Sequence, residues 1–297
     1  MNRVSGIFAP LSTPFDGSFD VDWQAFRENV EHYGQTDLAG LVVLGSNGEF
    51  ALLEEDEKVR LIGESRSRLP SDKLVIAGTG RESLRETLTL TRRCAEAGAD
   101  AALVLTPSYY KTDMDEKALE RFYLDVADQS PLPVILYNMP RNTGVNITAP
   151  LCCRLSSHPN IVGIKDSSAN IVQITEILAG CDKDFSVIAG SGSFLLATLI
   201  LGGHGGTMAV ANVVPQLCTR LYDAFLSGDI EQARKLQFDI MEINAAVTSR
   251  FGIGGMKAAM DMVGYCGGVP RPPILPATEE VKGQIAAIFG RLGIKTS

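Results

Sequence analysis

The sequence predicts an α/β protein: a (β/α)8 TIM barrel over residues 1–227, followed by a C-terminal helical subdomain over residues 228–297. Three observations carry that prediction. Eight short apolar segments alternate with helical ones along the chain. The apolar segments lack period-two polar alternation, so both faces should be buried, as in parallel sheet. No GxGxxG follows the first strand, which an open dinucleotide-binding sheet would want.

The elements follow in order. The run at 6–11 (GIFAPL) reads as the first strand and 22–33 as a helix. A strand at 38–44 (LAGLVVL) precedes a charged amphipathic helix at 54–67. A strand at 73–77 leads to a helix at 83–97, closed by Gly98. The fourth and fifth strands, 101–105 (AALVL) and 133–137 (PVILY), precede helices near 115–128 and 148–156. The sixth strand is 161–165 (IVGIK) and its helix runs from about 169 to 179. The last two units are 185–189 with 193–201, and 206–210 with 214–227. Further helices are expected at 230–248, 255–263 and 279–292, with a Gly- and Pro-rich extended piece at 267–276.

Composition narrows the function. A hydrophobic fraction of 45% and a charged fraction of 21% are ordinary for a globular enzyme. A net charge of −8 argues against nucleic acid and against an anionic membrane surface as partners. The six cysteines (Cys94, Cys152, Cys153, Cys181, Cys218 and Cys266) show no CxxC pair and no zinc spacing, which suggests reduced thiols. The neighbours Cys152 and Cys153 read as helix filler. No apolar run reaches membrane-spanning length, and the start lacks a signal-peptide layout, so a cytoplasmic setting is expected.

In a barrel, chemistry belongs at the C-terminal ends of strands. Lys165 ends the sixth strand, and a desolvated amine there is a usable nucleophile. The competing reading is a lysine that snorkels to water. The three histidines, His32, His158 and His204, share no ligand spacing, so no metal is expected. Neither a GxSxG elbow nor a P-loop is present, and no cofactor is expected. Glu49 and Asp166 carry two readings, as acids of the site or as helix-start residues favoured by the dipole. Asp166, Ser167 and Ser168 are also good N-cap choices for the following helix.

What remains is one lysine, tyrosines, and small hydroxyl or amide groups. That set suits imine chemistry: the amine attacks a ketone, and the protonated Schiff base then withdraws electrons from the neighbouring carbon. Tyr137 ends the adjacent strand. It can shuttle protons if both side chains face the lumen, since neighbouring strands lie about 4.8 Å apart. The loop at 45–48 offers glycine-freed amides, with Ser46 and Asn47 as donors, as a nest for an α-keto carboxylate. Read alone, it is an ordinary glycine-rich turn.

These strand ends also carry familiar motifs. GSNGE at 45–49, TPSYY at 106–110, YNMPRNTG at 137–144, GIKDSS at 163–168 and GGHGG at 202–206 resemble the dihydrodipicolinate synthase / N-acetylneuraminate lyase family. The resemblance spans nearly the whole chain. It implies a lysine-dependent pyruvate aldolase, with Lys165 as the Schiff-base lysine and Tyr137 as the proton relay. Ser46 and Asn47 would stand where many members have a Thr-Thr pair, with further substrate contacts at Gly48, Ser167, Asn142 and Gly190. A tyrosine would cross a tight dimer interface. The extra residue Ser108 leaves Tyr109 or Tyr110 for that role, and Tyr109 is favoured. The resemblance also implies a homotetramer built from such dimers.

One departure bears on substrate. Dihydrodipicolinate synthases usually carry an arginine two residues after the proline of YNxP. Here that position is Asn142, and Arg141, one place early, is expected to point elsewhere. This argues against aspartate semialdehyde. GSNGEF, TPSYY and the run 244–268 look most like 4-hydroxy-2-oxoglutarate aldolases, which implies cleavage to pyruvate and glyoxylate. The alternatives are 4-hydroxy-tetrahydrodipicolinate synthase, a 2-keto-3-deoxy sugar-acid aldolase or dehydratase, and, from another class, a silent barrel that binds keto acids.

Overall fold

The computed structural model describes residues 4–296. Eight strands form the barrel: β1 (Gly6–Pro10), β2 (Gly40–Val43), β3 (Leu74–Gly78), β4 (Ala101–Leu105), β5 (Val134–Asn138), β6 (Ile161–Asp166), β7 (Ser186–Ala189) and β8 (Gly205–Thr207). Each pairs in parallel with the next, and β8 returns to β1, so the sheet closes in chain order. The predicted fold class is the observed one.

The unbroken apolar runs are explained by two cores. Outward-facing side chains such as Leu41, Val75, Val104 and Leu136 pack under the helices. Inward-facing ones, among them Phe8, Val42, Ile76, Leu103, Ile135 and Ile188, form a separate cluster that plugs the lumen. Tyr137 belongs to that inner cluster, so the floor of the site is packed side chain and not a pore.

The barrel helices are α1 (Trp23–Gly34), α2 (Glu55–Arg68), α3 (Leu84–Glu96), α4 (Glu116–Gln129), α5 (Pro140–Thr143), α6 (Ala149–Ser156), α7 (Ile171–Gly180), α8 (Leu195–Ile200) and α9 (Pro215–Leu226). Their starts are chemically marked. Asp22, Ser83, Asp115, Thr148 and Asn170 each accept a backbone N–H of the first turn they precede. Beyond the barrel come α10 (Ile230–Ala245), a π-helical turn at Ala246–Arg250, α11 (Gly252–Met262) and α12 (Glu279–Leu292). Ile240, Ile243, Met256, Ile285 and Phe289 share one continuous core with the barrel helices, which docks this segment firmly. No helix among the described residues is long and apolar enough to cross a membrane.

Several expectations need correction. The sixth helix unit does not start at Asp166, Ser167 or Ser168: Asp166 is the last residue of β6, and Asn170 caps α7. Asp166 is instead drawn into the sheet end by Asn138, whose side-chain amide donates to it at 2.8 Å. The eighth strand is shorter and earlier than 206–210, because Ala209–Asn212 winds into a 3-10 turn. The predicted helix 230–248 loses its α geometry after Ala245. The short α5 was not foreseen.

Candidate active site

The barrel register places Tyr137 opposite Lys165 on adjacent strands. Because the pair is in register, both side chains leave the sheet on the same face, into the lumen. Both are buried, at 5% and 4% exposure, and Lys165 Nζ sits 4.2 Å from the centre of the Tyr137 ring. The snorkelling alternative is therefore not realised. Burial pushes the Tyr137 phenol up. The Lys165 charge, with hydrogen bonds from Ser46, Lys165 and Ser167, more than offsets that and holds it below its usual value. Ser167 Oγ is buried without an intramolecular partner in good geometry, yet lies close enough to this phenol to contribute.

A cavity of about 610 Å3 opens above the pair. Ser46, Asn47, Asn142, Ser167 and Gly190 all line it with Lys165 and Tyr137, so the barrel brings together most of the residues singled out in sequence. Ser46 and Asn47 lie on a 3-10 turn, Ser46–Gly48, whose first two amides find no acceptor among the described residues. Both residues lie on the cavity wall. At Gly190 a Cβ would lie 1.9 Å from Ser167 Oγ, so glycine is what allows the Ser167 hydroxyl its place. Ala169, also on the lining, holds φ of 59°, a conformation that a non-glycine residue adopts at a cost of roughly 1 kcal/mol or more.

Two residues stand apart. Gly48 does not line the cavity; its amide donates to the Gly45 carbonyl and its own carbonyl accepts from Thr13 Oγ1. Tyr109 is 78% exposed and lies outside the cavity of its own chain, edge-on to Tyr110 at 5.0 Å.

Supporting residues surround the site. Asp166 accepts from Asn138, Gln173 and Ser168, and Asn146 links Asn138 to Gln173. This lattice ties the ends of β5 and β6 to α7. Glu49 is not a cavity acid, and although it stands at the start of the 3-10 turn Phe50–Leu52, its side chain does not cap that turn. It forms a buried ion pair with Lys257 at 2.7 Å, and its other oxygen accepts the Arg271 amide. Lys257 Nζ also donates to the carbonyls of Thr13 and Val269. The pair anchors the end of the Ser46–Gly48 turn to α11.

Sequence reasoning missed other parts of the wall. Arg141 lines the cavity beside Asn142, against the expectation that it points elsewhere, because α5 winds the chain after Pro140. Elsewhere on the lining, Asn244 donates to Ser191 Oγ at 3.1 Å, and Thr248 on the π turn also borders the cavity. A π turn widens the helix by one residue, and such turns recur at functional sites. The visible signal was a polar pair, Thr248-Ser249, directly after the apolar stretch Ala245-Ala246-Val247. Arg141 and Lys165 are the lining's basic side chains, and it contains no carboxylate.

The comparisons agree with this architecture. A family model described as the dihydrodipicolinate synthetase family matches residues 3–291. The chain is 36% identical over 292 residues to a 4-hydroxy-tetrahydrodipicolinate synthase of Methanothrix thermoacetophila, covering 97% of this chain and 96% of that one. It is 35% identical to an Emericella nidulans protein named "Probable 4-hydroxy-2-oxoglutarate aldolase, mitochondrial", covering 93% of this chain and 91% of that one. Among solved structures, a prophage protein of the dihydrodipicolinic acid synthase family from E. coli K12, crystallised with pyruvate, superposes with a TM-score of 0.92. That protein shares 30% identity, over 98% of this chain and 99% of its own. With the family model spanning nearly all of it and the barrel closing as in these relatives, the chain belongs to the dihydrodipicolinate synthetase family and is an enzyme of the aldolase and lyase kind.

Proposed function

We propose that this enzyme is a Schiff-base aldolase that reversibly cleaves 4-hydroxy-2-oxoglutarate to pyruvate and glyoxylate. One observation carries the substrate: the cavity presents the Arg141 guanidinium beside the Lys165 amine, and no carboxylate among its lining residues. Such a wall suits a dianion with no amino group. Aspartate semialdehyde carries an ammonium, for which this cavity offers no counter-charge.

The geometry supports the following course. The substrate's C1 carboxylate docks on the free amides and side chains of Ser46 and Asn47, and Arg141 takes the distal carboxylate. Lys165 Nζ adds to the C2 ketone, and the carbinolamine loses water with Tyr137 supplying and removing protons. Tyr137, its acidity raised by the neighbouring lysine, then takes the C4 hydroxyl proton as the C3–C4 bond breaks. The electron pair passes into the iminium to give the enamine, and glyoxylate leaves. Protonation at C3 and addition of water return free Lys165 and pyruvate. Ser167 and Asn142 contact the substrate from the lining, and Gly190 keeps the ground clear for Ser167. Tyr109, exposed in the single chain, enters the relay from a partner subunit of a cytoplasmic homotetramer.

A second reading has its own observation. The hydroxyl and amide wall of Ser191, Ser193, Asn244 and Thr248 suits the polyol tail of a 2-keto-3-deoxy sugar acid. Pyruvate release should be assayed with 4-hydroxy-2-oxoglutarate and with 2-keto-3-deoxy sugar acids, alongside condensation of pyruvate with aspartate semialdehyde. The proposal expects kcat/KM for the first to exceed the others by at least about tenfold, or roughly 1.4 kcal/mol. Preference for any other member would overturn it, and Arg141→Ala should raise KM for the dianion far more than for a sugar acid.

A further inference from the structure

Behind the sixth strand, away from the cavity, three thiols converge. Cys152 and Cys153 lie on α6, and Cys181 follows the last turn of α7. Cys181 Sγ is 3.2 Å from Cys153 Sγ and 4.0 Å from Cys152 Sγ. None of the three lines the cavity. Cys152 is fully buried, whereas Cys153 and Cys181 are half-buried and so within reach of a small solute. Gly180 makes the approach possible, because a Cβ there would lie 2.8 Å from Cys153 Sγ. The sulfurs do not form a metal nest: among the described residues no cluster of ligands is arranged to hold an ion.

The two accessible thiols are chemically unlike. Hydrogen bonding from Cys152, helped by Cys153 and Ser156, outweighs burial and brings Cys181 down to about 7. Burial, and sharing a proton with Cys181, push Cys153 up to about 12. Near neutrality Cys181 is therefore in part thiolate while its neighbour stays a protonated thiol, an arrangement that selects which of them attacks first.

We propose that Cys181 and Cys153 are a reversible oxidation site, which a hydroperoxide converts to a disulfide joining α6 to α7. The Cys181 thiolate attacks the outer peroxide oxygen, the O–O bond breaks, and the departing alkoxide takes a proton to leave as alcohol. Cys181 is then a sulfenic acid. The Cys153 sulfur attacks it, the S–O bond breaks, and hydroxide leaves with the Cys153 proton as water. The two thiols lose two electrons and the peroxide gains them. Closing the sulfurs to about 2.05 Å asks for a shift of about 1 Å, within the reach of side-chain rotation.

The test treats the intact enzyme with one equivalent of tert-butyl hydroperoxide at pH 7, then maps peptides and counts free thiols. The expected result is a dithiothreitol-reversible Cys153–Cys181 peptide, the loss of two thiols, and reaction at Cys181 about tenfold faster than at half-buried Cys266. Cys153→Ser should stall at a Cys181 sulfenic acid that dimedone traps. Linkage through Cys152 instead, or a Cys181 that reacts no faster than Cys266, overturns the proposal.

Discussion

Lys165 and Lys257 are both buried, and their surroundings are opposite. Lys257 is held by the Glu49 carboxylate and two carbonyls, all at 2.7–2.8 Å. Burial pulls its pKa down, against the pull of Glu49 in the other direction. Lys165 faces a cavity, with a tyrosine ring beneath it and no carboxylate in ion-pair contact among the described residues. In the proposed reaction, that difference separates a strut from a nucleophile. An amine whose donors are all engaged cannot attack a ketone, whereas one that meets only a phenol and open space can.

Removing either lysine should cost something different. Lys165→Met should reduce cleavage by more than about 10^4-fold while leaving the denaturant midpoint nearly unchanged, because the Tyr137 phenol keeps Ser46 and Ser167 as neighbours. Tyr137→Phe should come next, lowering kcat by about 10^2 to 10^4 and leaving substrate affinity within a few fold, read by steady-state kinetics. If it raised KM alone, the phenol would be a binding group and not a relay. Lys257→Met acts on stability instead. It leaves the buried Glu49 carboxylate without its counter-charge, with only the Arg271 amide still donating to it, and urea unfolding should show a loss of about 3–5 kcal/mol. Replacing both partners with apolar residues should recover much of that, a recovery that a mere packing role for Lys257 does not predict.

The smallest effect concerns the outer part of the same strut. Arg271 grips Glu57 with two guanidinium nitrogens at 2.7 and 2.8 Å, and that hydrogen bonding holds the Glu57 carboxyl below its ordinary 4.5. A depressed carboxylate pKa stabilises the fold above pH 4.5, and the contribution is lost as pH falls through the lower folded-state value. Glu57→Gln should therefore flatten the acid limb of stability below that pH, by on the order of 1 kcal/mol. Melting temperatures from pH 3 to 6 would show the acid limb unaltered if the pair contributes nothing.

The same contrast explains what the sequence could and could not convey. Lys165 was legible because it ends a buried strand, and strand register then carried Tyr137 to its side. Ser46 and Asn47 were legible as a polar turn after the second strand. Lys257 was not, since Gly-Gly-Met-Lys-Ala-Ala is locally an unremarked helix and Glu49 lies far away in the chain. Asp166 misled because a Ser/Asp-rich strand end resembles a helix cap, and only its contact with Asn138 shows otherwise. Arg141 was misplaced for a related reason: counting residues from Pro140 assumes an extended chain, and α5 coils it. Tertiary contacts decided each of these.

The central claim is that Lys165 carries the reaction as an imine. The direct measurement is reduction with sodium borohydride in the presence of pyruvate, followed by peptide mass mapping. The account predicts a single reduced pyruvate adduct on Lys165, absent from Lys165→Met and not transferred to Lys257. An enzyme that turns over substrate yet carries no adduct on Lys165, or carries it on another lysine, contradicts it.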